Sequence, residues 1–346
     1  MKRLIPLLLV LAAAATACGS TKHATTPSTT TAATPAAFKV GLSTDIGGLN
    51  DRSFNHLAYL GLQKAAADLG VQTRVVQSAS PQDYIPNLSA LARQHYDLVI
   101  GVGFTEIDAV KAVAKEFPKT HFAIVDVSNA DEGGLKNVQG LLFKEQEAGY
   151  LAGYAAGLAA KQRGGTAVSS VGGEKQPPVD RYIAGFQAGA KAADPGVDTL
   201  NGYSQDFENQ AKCKEVALNQ IAAGSVVVFQ VAGGCGLGAL DAANEKNVWG
   251  VGVDADQAYL GPYVLTSALK RVDTSVYDAI RDAKAGKFKG SGLRLRARRQ
   301  RRRHRQVLAE GAEGHRCEGR QDQAGDRERQ DHQHSDDGQV GGARDA

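Results

Sequence analysis

Between Phe38 and Gly292, short apolar runs rich in β-branched residues alternate with helical patterns, and the alternation restarts just after Phe143. Parallel sheets with helices on both faces satisfy this order, because every parallel connection must cross over its sheet. Strands are expected at 38–43, 73–76, 98–102, 121–125 and 138–142, with helices at 52–69, 81–94 and 106–117 between them. The second series places strands at 166–171, 197–203, 226–231 and 248–253, with helices at 145–160, 179–193, 209–223 and 237–245. About 255 residues are enough for two lobes, so the expected class is α/β, with two Rossmann-like lobes around a cleft. The first lobe is expected at 38–143 and the second at 144–262, with residues 263–290, a strand at 263–269 and a helix at 274–285, returning to the first. The Gly- and Ala-rich helix EQEAGYLAGYAAGLAA is too short and interrupted to span a bilayer, and its small residues suit close helix packing.

The two ends read differently from this body. Met1-Lys2-Arg3, an apolar run at 4–15 and the small residues Ala15-Thr16-Ala17 form a secretory leader, expected at 1–17. Cys18 follows directly, in the place of the lipid acceptor of an exported lipoprotein. The Thr-, Ala-, Ser- and Pro-rich stretch up to residue 37 buries too little apolar surface to fold, and reads as a tether. At the other end all 19 Lys lie before Leu293, whereas residues 293–346 hold 13 Arg, no Lys and no aromatic residue. Body charges balance, so the net +3 comes from the tail, and pI identifies no partner. The run RRQRRRHR at 298–305 has the charge of an arm for nucleic acid or anionic lipid. A GC-rich gene read one base out of frame accounts for the composition more simply, since it turns Lys codons into Arg, Gln and Glu. The expectation is a frameshifted, disordered tail of 54 residues, with no nucleic-acid partner.

Open α/β sheets bind ligands beyond the carboxyl ends of their strands. In the first series those places hold Asp45 with the loop through Asn50, Ser53, Phe54 and Asn55 (DIGGLNDRSFN), then Gly103 and Phe104, then Asp126. In the second they hold Phe229, Gly233 and Gly234 within FQVAGGCG, then Asp254 and Asp256, with Lys270 on the returning segment. A single Asp at a strand end is more often a helix cap; joint occurrence at corresponding places in both series marks a binding cleft.

At these residues the chain resembles the basic membrane protein family of lipoproteins, the purine-nucleoside-binding components of ABC importers, over about residues 38–290. The resemblance rests on TDIGGLNDRSFN (44–55), QEAGYLAGYAAG (146–157), FQVAGGCG (229–236), WGVGVDADQ (249–257) and VLTSALKRVD (264–273). It implies a fold of the periplasmic-binding-protein type. It also implies a protein lipid-anchored to the outer face of the cell membrane, which holds a purine nucleoside between its lobes and passes it to an ABC permease. By the same resemblance Phe54 and Phe229 sandwich the purine, Asp45 and Asp126 lie at the ligand, and Gly234, Asp256 and Lys270 contact the sugar. No cofactor and no covalent chemistry are expected. Two departures stand out: members usually read GGTG where this chain has Gly233-Gly234-Cys235-Gly236, and they continue past 292 with apolar, Lys-bearing sequence.

Two other functions fit parts of the pattern. One is a receptor of the same fold that presents a sugar or signal molecule to a membrane sensor. The other is an exported NAD-dependent enzyme, since residues 234–239 (GCGLGA) follow a strand, open a helix and precede Asp254 by about twenty residues. Against the enzyme, the first series has no matching fingerprint and no catalytic constellation accompanies the second. The eight His residues are scattered, so no metal site is expected. Cys213 and Cys235 are the only cysteines of the body. A helix packed antiparallel to its next strand sets their two chain ends side by side, so a disulfide is expected in an oxidising compartment. On the chain-entropy model such a loop closure is worth about 3 kcal/mol.

Overall fold

A computed structural model describes residues 37–288, 290 and 293–294. The leader, Cys18, the tether and the tail from 295 lie outside the described residues. The first sheet contains β1 (Lys39–Thr44), β2 (Gln72–Val76), β3 (Leu98–Val102), β4 (His121–Val125) and β5 (Val138–Leu142), all parallel, in the order β5-β4-β3-β1-β2. The second contains β6 (Ala167–Gly172), β7 (Asp198–Tyr203), β8 (Ser225–Val231), β9 (Trp249–Asp254) and β10 (Val264–Leu269), ordered β10-β9-β8-β6-β7. Counted within its own lobe, each sheet has the doubly wound order 2-1-3-4-5. Each therefore has a switch point between its first and third strands, where a crevice opens for a ligand.

Among the described residues eight helices cover the faces: α1 (Phe54–Leu69), α2 (Tyr84–Arg93), α3 (Ile107–Glu116), α4 (Glu145–Gln162), α5 (Pro177–Ala193), α6 (Gln210–Ala222), α7 (Gly236–Glu245) and α8 (Val272–Lys284). The central strands are mostly apolar because both of their faces are covered; every residue of β3 is buried. In the first lobe Leu42, Leu62, Val276 and Ile280 pack on the side of α1 and α8, while Leu88, Val110 and Phe122 pack on that of α2 and α3. In the second lobe Ala152, Phe186 and Phe229 fill the side of α4 and α5, and Cys213, Ala217 and Ala239 that of α6 and α7. The small residues of α4 let α5 lie against its backbone. A Cβ on Gly153 would stand 1.9 Å from the Phe186 carbonyl oxygen, so a larger residue there would drive the helices apart.

Two boundaries differ from expectation. The strand expected to return to the first lobe belongs to the second, because β10 pairs in parallel with β9, Ser267 opposite Gly252 and Leu269 opposite Asp254. An apolar strand covers the open edge of β9, and the chain crosses back only at Lys270–Arg271, after which α8 packs on α1. The second difference concerns the tail, expected to begin at Leu293. The backbone of β11 (Leu293–Arg294) adds a short parallel strand beside Leu141 and Leu142 of β5. Such pairing needs only backbone N–H and C=O groups, so it is open to a sequence of altered composition.

Candidate functional site

A cavity lies between the lobes at both switch points. The first lobe lines it with Asp45, Asp51, Phe54, Asn55, Gly103, Phe104 and Asp126; the second contributes Gln176, Tyr182, Phe207, Gly233, Gly234, Asp254 and Lys270.

Asp51 organises the β1–α1 side. One carboxylate oxygen accepts the backbone N–H groups of Ser53 and His56 at 3.0 and 3.1 Å; the other accepts that of Asn55 at 2.6 Å. These are the unpaired donors of a helix start, so Asp51 caps α1 and sets Phe54 in its first turn. Asn55 Nδ2 then bridges two acids, donating to Asp45 Oδ1 at 2.7 Å and to Asp51 Oδ2 at 3.2 Å. Asp45 Oδ1 also accepts the Gly47 N–H at 3.0 Å. A Cβ on Gly103 would come within 2.9 Å of Asp45 Oδ2, and Gly103 has φ +116°; glycine is required there on both counts. Desolvation raises the Asp45 carboxyl to about 7 against the pull of the Asn55 and Gly47 donors, and Asp51 adds like charge.

The opposite end holds a buried ion cluster where the chain crosses between lobes. Lys270 Nζ lies 2.5 Å from Asp126 Oδ1 and 3.1 Å from Glu145 Oε1, and Arg181 Nε donates to Glu145 Oε2 at 2.8 Å. The rings of Phe143, Phe54 and Tyr182 surround the ammonium at 4.8, 5.2 and 5.8 Å. Desolvation would neutralise Lys270, yet Asp126, Glu145 and Asp254 outweigh it and hold the ammonium form. For Asp126 desolvation prevails over Lys270 and lifts the carboxyl to about 7; Asp254 rises to about 6 by the same cause. Tyr182 donates to Asp254 Oδ1, and Ser53 Oγ donates across the cleft to Asp254 Oδ2 at 3.0 Å. Asp126 and Asp254 end the fourth strands of their respective lobes, and both have left-handed backbones, φ 72° and 60°. Strained positions of this kind persist where the surroundings over-determine them.

Ten of the expected site residues line the cavity: Asp45, Phe54, Asn55, Gly103, Phe104, Asp126, Gly233, Gly234, Asp254 and Lys270. Four do not. Phe229 is 0% exposed and stacks on Phe186 with centroids 4.9 Å apart. It lies two residues before the end of β8, one strand period deeper than Val231, which does reach the cavity. Asp256 is exposed and accepts the Ala258 N–H, because it lies beyond the strand end where Asp254 turns inward. Asn50 is exposed outside the cavity, and Ser53 is spent on its bonds to Asp254 and the Val253 carbonyl.

Beside Tyr182, the second lobe's aromatic lining includes Phe207, in the β7–α6 loop. Asp206 shapes that loop by accepting the N–H groups of Glu208 and Asn209 at 2.8 and 2.9 Å. The strand-end rule covers this loop as well as the one after β8, and YSQDFEN (203–209) carries the signal. Tyr182, Glu145 and Arg181 gave no such sign: on helices they read as core and surface charge. Cys213 and Cys235 are joined by a disulfide, S–S 1.96 Å. Among the described residues no helix is long and apolar enough to cross a membrane.

Two lobes of one winding order, closed over a polar and aromatic cavity that both line, define a solute-binding protein of the periplasmic-binding type. The family model for PnrA-like substrate-binding proteins of ABC transporters matches residues 38–296, and the chain belongs to that family of binding proteins, which are not enzymes. It is 40% identical over 275 residues to a CD4+ T-cell-stimulating antigen of Listeria monocytogenes, covering 73% of this chain and 75% of that protein. To the ABC transporter nucleoside-binding protein BmpA of Lactococcus lactis it is 36% identical over 278 residues, 74% and 78% of the two chains. A crystal structure of an ABC transporter solute-binding protein from Aeropyrum pernix superposes with a TM-score of 0.69 at 30% identity, over 75% of this chain and 74% of that one.

Proposed function

We propose that this protein captures a purine nucleoside between its lobes, outside the cytoplasm, anchored through a lipid on Cys18, and releases it to an ABC permease. The observation that carries this reading is that aromatic rings from opposite lobes, Phe54 and Phe207 among them, line one cavity together with eight hydrogen-bonding side chains. Rings from two lobes form a slot only when the lobes close, so base stacking and closure are one event. Each stacking contact is worth about 0.5 to 1.5 kcal/mol beyond area burial. Asp45 and Asp126 supply acceptors for ring N–H groups, and Asp254 with Lys270 suits sugar hydroxyls through charge-assisted bonds of about 1.5 to 3 kcal/mol. The nucleoside-binding relative in Lactococcus lactis supports the same ligand class.

A thermal-shift titration with guanosine, adenosine, ribose and NAD tests the reading. At 100 times its dissociation constant a ligand stabilises by about 2.7 kcal/mol, a shift of several degrees for a body of this size. A shift with a nucleoside and none with ribose or NAD is expected; a shift with ribose alone would move the assignment to a sugar. The loss of Lys after residue 289 and the end of the family match at 296 support an out-of-frame origin for the tail. Resequencing the locus is expected to reveal the displaced frame.

A further inference from the structure

The second lobe offers the ligand two loops, and one covalent bond joins them. Phe207 is carried between β7 and α6, and Gly233 and Gly234 between β8 and α7. Cys213 is the fourth residue of α6, and Cys235 immediately follows Gly234; their Cα atoms are 5.6 Å apart and both side chains are 0% exposed. The backbone repeats the connection, since Cys235 N–H donates to the Phe207 carbonyl at 2.9 Å. That carbonyl oxygen lies 3.4 and 3.5 Å from where a Cβ would stand on Gly233 and Gly234, so aromatic loop and glycine loop fit at backbone distance. The starts of the two helices also touch: a Cβ on Gly238 would meet the Gln210 carbonyl oxygen at 1.9 Å.

We propose that the Cys213–Cys235 disulfide is a positioning device for the ligand, holding the Phe207 ring and the Gly233–Gly234 backbone in one fixed relation. This rests on the nucleoside reading of the cavity. Both loops belong to one lobe, so the bond acts whether the lobes are open or closed, and the second wall of the slot is complete before the ligand arrives. With the bond cut, each loop samples its own positions, and only the fraction of molecules with both in place binds. The apparent affinity falls by that fraction. Binding thereby becomes sensitive to redox state through two residues that line no part of the cavity.

The test compares the full chain oxidised, the same chain treated with a strong reductant, and the C213S/C235S variant. Serine at 235 finds the Ser204 hydroxyl and the Asn209 carbonyl within reach, so a buried hydroxyl there has partners. Calorimetric titration with guanosine is expected to give about tenfold weaker binding without the bond, corresponding to a tenth of the molecules being competent. In ligand-free protein, amides of residues 204–209 and 232–236 are expected to exchange faster without the bond, while those of β3 and β4 do not change. Phe207→Ala is expected to cost less in the variant than in the oxidised chain, because the wall it removes is already misplaced. Equal guanosine affinity and equal loop exchange, with only a lower melting temperature, would overturn the proposal. If the oxidised chain does not bind guanosine the nucleoside reading fails, and loop exchange still decides whether the bond fixes the loops.

Discussion

Asp45 and Asp126 stand at opposite ends of one cavity, and both carboxyls are raised to about 7, yet they arrive there differently. Among the described residues no cation pairs with Asp45. Neutral donors, the Asn55 amide and the Gly47 N–H, offset part of its desolvation. Asp126 has Lys270 at 2.5 Å, but shares it with Glu145 and lies near Asp254, so one ammonium is divided among three acids. The first end therefore holds Asp45 by neutral donors, with Asp51 behind them bound to the start of α1, and can accept a ligand N–H without a cation being withdrawn from another acid. The second is a charge cluster on the inter-lobe crossing, where losing one member leaves the others buried and unpaired.

The largest effect should come from breaking the cluster. Lys270→Met is expected to lower unfolding stability by about 3 to 5 kcal/mol, the cost of stranding a buried charge, and to abolish nucleoside binding. Guanidinium unfolding monitored by circular dichroism reads the first effect. Asp45→Asn, which strands no charge, is expected to leave stability at pH 7 equal or higher. Equal losses for the two variants would erase the distinction between the ends.

Much of the framework behind this distinction is legible in the sequence. Runs such as LVIGV at 98–102, short, β-branched and set between helical patterns, read as strands buried on both faces, and the restart after Phe143 announces a second lobe. Strand-end positions then mark Asp45, Gly103, Asp126, Gly234 and Asp254, all on the cavity wall. What sequence cannot convey is depth along a strand. Phe229 and Phe207 are both aromatic residues near strand ends, but one precedes its strand end and packs on Phe186, whereas the other follows its strand and faces the ligand space. Side-chain reach from distant helices is equally hidden. Glu145 and Arg181 read as ordinary helix charges, and only the packing of α4 on α5 beside β10 brings them to Lys270.

Titration should sharpen the comparison at a smaller scale. The Asp45 carboxyl binds its proton more tightly folded than unfolded, with a pKa of about 7 against an ordinary 3.8. Between those values the folded form holds more protons, so this group's contribution to stability is present at acid pH and lost as pH rises towards 7. That is the reverse of the usual acid-denaturation slope. Melting temperatures of the ligand-free protein from pH 4.5 to 8 are expected to decline less steeply in Asp45→Asn than in the parent. A slope unaltered by the substitution would mean that the cavity does not desolvate Asp45.

The smallest effect separates the walls from the ends. Phe207 carries no titratable group and, on the proposed nucleoside reading, would meet the base through dispersion and its quadrupole, so Phe207→Ala is expected to weaken guanosine binding about tenfold, near the upper range of one stacking contact. Because stacking on a neutral base draws on neither acid, that factor should be the same at pH 5.5 and pH 8, while the affinity of the parent itself changes as Asp45 and Asp126 ionise. Phe229→Ala should behave in the opposite sense, costing about 3 to 5 kcal/mol of folding stability as a core truncation, with intact binding in whatever fraction stays folded. If the Phe207 factor follows pH, the ring is coupled to the acids through the ligand, and the cavity acts as one recognition unit rather than two chemically distinct ends joined by a neutral slot.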